Sequence, residues 1–240
     1  MPVDDHRIVN RKFILAPNIE PHRVHEVTTQ CSSCKQYFAA CFRKGSYHGL
    51  DAGLPCHNYK LVFTDGACSN NGYGNAIAGM GIVMGAPGPE RQWSVPIDDT
   101  VDPGGPRTNQ RAELLAAIRG LRLIHMQEMI QAKTHRDNSS VAHSNESALR
   151  PCGPLDHITF VVVTDSQYVA EGITTWFPRW KAKSWLNSRG TRPANLDLFR
   201  SLDLLITTLE FTGIKVGFWK IGRGDNHEAD SLAKTATCAS

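Results

Sequence analysis

No apolar run in the 240 residues approaches the roughly 20 that a membrane-spanning helix needs; runs such as Phe160-Val161-Val162-Val163 are a few residues long. Charge of one sign is also scarce. Twenty-six basic against 23 acidic side chains leave +3, too little taken globally to mark a nucleic-acid binder, so any electrostatic argument must be local. The first residues, Met1-Pro2-Val3-Asp4-Asp5-His6, carry acids and no apolar signal-peptide core. An intracellular protein, nuclear or cytoplasmic and not secreted, is therefore expected. In that setting the seven cysteines, an odd number, should stay reduced rather than form a disulfide framework. No internal repeat is visible. With 41% apolar and 20% charged residues, the chain can still bury a sizeable core.

Three textures divide it. Residues 1–58 mix His, Cys and Pro without sustained periodicity and read as an irregular N-terminal extension. Residues 59–240 carry clear strand and helix patterns, interrupted at about 133–156 by a polar, turn-rich stretch that reads as an inserted loop. Lys60 to Thr64 is a short apolar strand running into a turn at Asp65-Gly66. Ala76 to Met84 and Arg91 to Ile97 flank a Gly/Pro turn and predict a hairpin. Thr108 to about Ala132 is helical, with Leu114, Ile118 and Leu121 at three-to-four spacing. Ile158 to Thr164 is a second apolar strand. It is followed by helices at Gln167 to Thr175 and Asn195 to Leu209, a strand at Ile214 to Lys220 and a helix at Asn226 to Thr237. Two apolar strands joined through a hairpin and a long helix predict parallel neighbours, hence an α/β fold with a mixed sheet.

Four acids fall where such a sheet could bring them together. Asp65 and Asp165 each end an apolar strand, and open α/β sheets place ligands at the carboxyl ends of adjacent parallel strands. Glu113 shares a helical stripe with Ala116, Ala117 and Gly120, small residues that let the helix lie against the sheet. Near the C-terminus, Asp225 sits where a helix N-cap belongs, whereas Asp230 lies one turn in, beside Ala229 and Ala233. Taken singly, each acid has an ordinary structural use as a cap, a turn or a partner of the helix dipole. Converging, they would raise one another's pKa and call for cations. Oxygen donors of this kind suit Mg²⁺ or Mn²⁺, and two such ions about 3.5–4 Å apart can activate a water and stabilise a leaving oxygen.

Between Trp176 and Leu196 there is no acid. The segment interleaves Trp176, Trp180 and Trp185 with Arg179, Lys181, Lys183, Arg189 and Arg192. Cations at that density neutralise phosphates while aromatic faces pack on sugars or bases. In the N-terminal extension, Cys31-x₂-Cys34 has zinc-knuckle spacing, with Cys41, Cys56, His48 and His57 nearby; one zinc or simply reduced thiols both fit.

Four runs occur in order: Thr64-Asp65-Gly66-Ala67-Cys68-Ser69-Asn70-Asn71-Gly72, Thr108-Asn109-Gln110-Arg111-Ala112-Glu113-Leu114, Thr164-Asp165-Ser166-Gln167-Tyr168-Val169 and Asn226-His227-Glu228-Ala229-Asp230-Ser231-Leu232-Ala233. Together they resemble the type 1 ribonuclease H family, over about Tyr59 to the C-terminus. The resemblance implies a ribonuclease H-like mixed five-stranded sheet flanked by helices. It also implies endonucleolytic hydrolysis of the RNA strand of an RNA–DNA hybrid by two metal ions, Mg²⁺ or Mn²⁺, to 5′-phosphate and 3′-hydroxyl ends. On that resemblance Asp65, Glu113, Asp165 and Asp230 bind the metals, and Asn71, Asn109 and Gln110 contact the minor groove. Thr108 and Asn195 hold a DNA phosphate, and Trp176, Trp180 and Lys181 belong to the aromatic, basic substrate-binding segment. No polymerase motif occurs in these residues, so a free-standing enzyme with no implied protein partner is expected. One feature departs from the family: the stretch Lys220-Ile221-Gly222-Arg223-Gly224-Asp225 has no histidine where the family usually carries one. Arg223 and His227 are the nearby substitutes.

Overall fold

β-Branched and aromatic side chains set the centre of the molecule. Thr159–Thr164, with no residue able to face water comfortably except its threonines, is buried along its whole length and takes strand neighbours on both sides. The computed structural model describes residues 6–16, 24–40, 57–138 and 158–238. In chain order they form β1 (Arg7–Val9), β2 (Lys12–Ile14), α1 (Val24–Val27), β3 (Thr28–Gln30), β4 (Tyr37–Ala39), β5 (Tyr59–Ser69), β6 (Ile77–Val83) and β7 (Gln92–Ile97). Then follow α2 (Asn109–Asn138), β8 (Thr159–Thr164), α3 (Gln167–Glu171), α4 (Phe177–Ala182), α5 (Leu196–Phe211), β9 (Lys215–Lys220) and α6 (His227–Cys238).

β5, β8 and β9 run parallel, and β6 and β7 extend the sheet as an antiparallel hairpin from β5. This is the expected mixed α/β sheet, and its five strands come from residues 59–240. The described part of the N-terminal extension, residues 6–16 and 24–40, adds short strands to it. Its β2 pairs with the outer side of β9, β1 pairs with β2, and β4 and β3 add to the start of β5, giving nine strands in one sheet among the described residues. Three-residue strands carry too little period to be recognised from sequence; long-range pairing makes them.

Alternation along β5 divides the core. Val62 joins Leu114, Leu121, Phe160, Phe199 and Leu202 on the face covered by α2 and α5. Leu61 and Phe63 join Phe13, Val161, Val163, Trp219 and Ala229 on the face covered by α6. Two expected boundaries shift. β5 does not turn at Asp65-Gly66 but continues to Ser69, because that half pairs with β6. The helix expected at Gln167 to Thr175 runs on through a π-helical turn at Gly172–Trp176 into α4. The long helix α2 extends to Asn138; the rest of the expected insertion, from residue 139 to 156, lies outside the described residues. Among the described residues no helix is long and apolar enough to cross a membrane.

Candidate active site

Parallel pairing between β5 and β8 stops at Phe63↔Val163, so Asp65 and Asp165 emerge side by side just beyond it. Glu113 reaches them because α2 lies unusually close to β5. A Cβ on Gly66 would stand 2.2 Å from the Glu113 backbone nitrogen, so only glycine admits the helix at that distance. The Gly66 N–H donates to Glu113 Oε2 at 3.2 Å. On the opposite side α6 is seated in the same way: a Cβ on Gly81 would meet the Ala229 carbonyl oxygen at 2.0 Å. That approach brings Asp230 over the strand ends, where its charge acts on Asp65.

The electrostatics record the convergence. Burial, then the charges of Asp165 and Asp230, push the Asp65 carboxyl up to about 7. Burial, then Asp65 and Asp165, push Glu113 up to about 9. Cations stand only at the rim. Arg223 Nε lies 3.4 Å from Asp165 Oδ2 with its side chain 91% exposed, and Lys234 Nζ donates to Asp230 Oδ2 at 2.7 Å. The donor set consists of carboxylate oxygens, and the two buried carboxyls, Asp65 and Glu113, hold their protons more tightly than free acids do. Hard divalent ions fit such a set.

Asn226 is a member of the site that sequence reasoning passed over. Buried to 2% exposure, its Nδ2 donates to Asp165 Oδ1 at 2.9 Å and to the Thr64 carbonyl oxygen at 3.1 Å. It therefore ties the ends of β5 and β8 to the start of α6. The expected cap, Asp225, instead closes a 3₁₀ turn at Arg223–Asp225, and α6 begins one residue later than expected. His227 does not reach the acids; its exposed ring is engaged with the Gly224 carbonyl oxygen at 2.9 Å. Of the two substitutes for the missing histidine, Arg223 is the one beside a carboxylate.

A second group lies along the N-terminal end of α2. Asn71 Oδ1 accepts from the Asn109 backbone N–H at 3.1 Å, linking the β5–β6 turn to the helix start. Asn71, Asn109 and Gln110 are exposed on this rim. Thr108 Oγ1 accepts from the Arg111 N–H at 3.3 Å. Arg111 then works as a clamp that the sequence did not announce. It grips Asp102 through Nε and Nη2 at 2.6 and 2.8 Å and Asp197 at 2.6 Å, and its Nη1 reaches Asn195 Oδ1 at 3.5 Å. Those acids hold the guanidinium firmly in its charged form. Thr108 and Asn195, far apart in sequence, are thereby brought to one place, with Asn195 in the left-handed region at φ 53°. The arginine lies inside the run from Thr108 to Leu114, but its partners could not be read from spacing.

In the aromatic, basic segment the structure divides the labour. Trp180 sets its edge against Phe199 at 5.2 Å between centroids, and Trp176 lies 6.3 Å from Trp180, both half-buried. Arg200 covers the Trp185 ring at 4.2 Å. The tryptophans are thus partly core. Arg179, Lys181, Lys183, Arg189 and Arg192 all face solvent and form no ion pair among the described residues. The basic face is free for a polyanion.

Comparison with known proteins bears on the family. The RNase H family model matches residues 144–238. Ribonuclease H of Shewanella baltica is 33% identical over 177 residues, covering 73% of this chain and 86% of that protein. Human ribonuclease H1 is 32% identical over 181 residues, covering 74% of this chain and 49% of its own length. Among solved structures, a foamy viral protease-reverse transcriptase in complex with RNA/DNA hybrid aligns over 78% of this chain and 21% of its own, at 19% identity and a TM-score of 0.48. Identity of a third across 86% of a curated relative shows that the chain belongs to the ribonuclease H family.

Proposed function

We propose that the chain hydrolyses the RNA strand of RNA–DNA hybrids at the site formed by Asp65, Glu113, Asp165 and Asp230, leaving 5′-phosphate and 3′-hydroxyl ends. The observation that carries this is the pair of buried carboxyls, Asp65 and Glu113, raised by burial and then by the further acids that they face. Ribonucleases H are generally divalent-metal dependent. Two Mg²⁺ ions, or Mn²⁺ in their place, would supply Lewis acidity for the attacking water and the leaving 3′-oxygen. The four carboxylates would hold them, and Asn226 fixes Asp165 in position for that task.

Binding follows from the same frame. Asn71, Asn109 and Gln110 line an exposed rim beside the acids and would read the minor groove, where the 2′-hydroxyl separates RNA from DNA. Thr108 and Asn195, assembled by Arg111, would hold a phosphate of the DNA strand. Trp176, Trp180 and Lys181 would carry the hybrid further out along the basic face. Arg223, exposed and beside Asp165, would steady a phosphate oxygen where the family usually places its histidine.

The test is cleavage of an end-labelled hybrid in Mg²⁺ beside double- and single-stranded RNA, with Asp65→Asn and Asp165→Asn. Hybrid-only cutting, nearly abolished in both variants with hybrid binding retained, is expected. Wild-type rates in either variant would remove that acid from the metal site, and binding without cutting in Mg²⁺ or Mn²⁺ would make the chain a binding module.

A further inference from the structure

Away from the acids, the β3–β4 hairpin makes a cluster of a different chemistry. Between Cys31 and Gln36 the chain folds back on itself: the Lys35 N–H donates to the Cys31 carbonyl oxygen at 2.9 Å and the Cys31 N–H to that of Gln36 at 3.0 Å. Lys35 adopts the left-handed region at φ 60° to allow it. The turn sets both thiols on one side. His57 comes from a separate segment. It precedes Asn58, whose carbonyl oxygen accepts from the Thr159 N–H, and its ring lies flat on Phe38 of β4, 4.1 Å between centroids at 4°. The pairing of Phe38 with Lys60 brings the two segments together. One donor atom each from Cys31, Cys34 and His57 then lie within 4.8 Å of one another; among the described residues this is the one such group of three.

We infer that Cys31, Cys34 and His57 form a structural zinc site that fastens the β3–β4 hairpin to the start of β5. Two sulfurs and an imidazole are the soft and borderline donors that zinc selects, and hard Mg²⁺ or Mn²⁺ does not. Cys31 is fully buried and Cys34 half-buried, so the site is shielded as structural zinc sites are. Of the cysteines and histidines singled out in the sequence, Cys31, Cys34 and His57 are placed in the cluster; Cys41, His48 and Cys56 lie outside the described residues. The site is independent of catalysis, but its clamp holds β5, the strand that delivers Asp65.

The test uses the full chain purified under reducing conditions without chelator. Elemental analysis should find stoichiometric zinc, and cobalt substituted for it should show thiolate-to-metal charge-transfer absorption. Removal of zinc by a selective chelator should lower the melting temperature, restored by zinc and not by Mg²⁺. His57→Ala, at a half-buried position that leaves the thiols in place, should lose the zinc and the zinc-dependent thermal gain while retaining its circular dichroism; Cys31→Ser should behave alike if folded. Asp65→Asn should keep its zinc, separating this site from the acids. Zinc-free reduced protein, zinc undiminished in His57→Ala, or a Cys31–Cys34 disulfide by intact mass in place of metal would overturn the assignment.

Discussion

Asp65 and Glu113 are carboxyls that the fold keeps partly protonated, and this makes metal-free stability depend on pH in an unusual direction. Unfolded, both release their protons near pH 4; folded, Asp65 does so at about 7 and Glu113 at about 9. Between those limits the folded state holds more protons than the unfolded one, so stability falls as pH rises from about 4 through the folded values. Below about 4 both states are protonated and the penalty vanishes. In chelator, the melting temperature should therefore fall from about pH 5 to about pH 9. Asp65→Asn and Glu113→Gln should melt higher at alkaline pH and flatten the profile, and Mg²⁺ should stabilise the wild type more at high pH than at low. A parallel profile in wild type and variants, measured by calorimetry, would mean that the two carboxyls do not meet. At this scale Asp65 and Asp165 were legible, because an acid that continues an apolar strand is conspicuous; Glu113 and Asp230 stood out by the small residues beside them on their helices. Asn226 was not legible: at the expected start of the last helix, nothing in its neighbours reports its hydrogen bonds to Asp165 and to the Thr64 carbonyl oxygen. Arg111 was not either, since Asp102 lies nine residues away and Asp197 86, and no local period reports a distant partner.

Elements explain why the boundaries moved. An Asp-Gly pair ordinarily marks a turn, but Gly66 stays in the strand because the start of α2 occupies the space of its missing side chain. What looks like punctuation is a close approach. The helical stretch from Gln167 to Ala182 continues past the expected end because Gly172 and Phe199 share one volume; a Cβ there would stand 2.5 Å from that ring. The π turn at Gly172–Trp176 then presents α4 with Lys181 outward and Trp180 against Phe199. Charge on this segment was legible; its division into a packed aromatic side and a solvated cationic side needed the tertiary structure. If it tracks phosphates, Lys181→Ala with Lys183→Ala should reduce the slope of log affinity against log salt by about one unit per lysine. Hybrid binding measured over a range of salt checks this. The loss should be uniform across sequences, and an unchanged slope would remove α4 from the interface.

At the scale of the whole molecule, the described residues of the N-terminal extension lengthen the sheet. β2 lies parallel to β9 through Lys12↔Phe218, so it covers a strand edge that would otherwise be open to another chain. Arg11 reaches across to Asp203 and Glu210 of α5, and Lys12 to Glu171 of α3. The more exposed of these pairs, such as Lys12 with Glu171, contribute little; Phe13 contributes more. Its ring is buried between Tyr59 and Trp219, with centroids 5.8 and 5.5 Å away, in the same cluster as Leu61, Phe63, Val161 and Val163 of the central strands. Removing it opens a cavity in the layer beneath Asp65, not in a separate lobe. Phe13→Ala should therefore lower the unfolding free energy by about 3–5 kcal/mol, a large part of the roughly 5–15 kcal/mol that a folded chain possesses. Denaturant unfolding should keep a single transition with its midpoint displaced and its slope retained. If residues 1–58 instead fold apart from the rest, the same substitution would leave the main transition where it is and disturb only a second, smaller one.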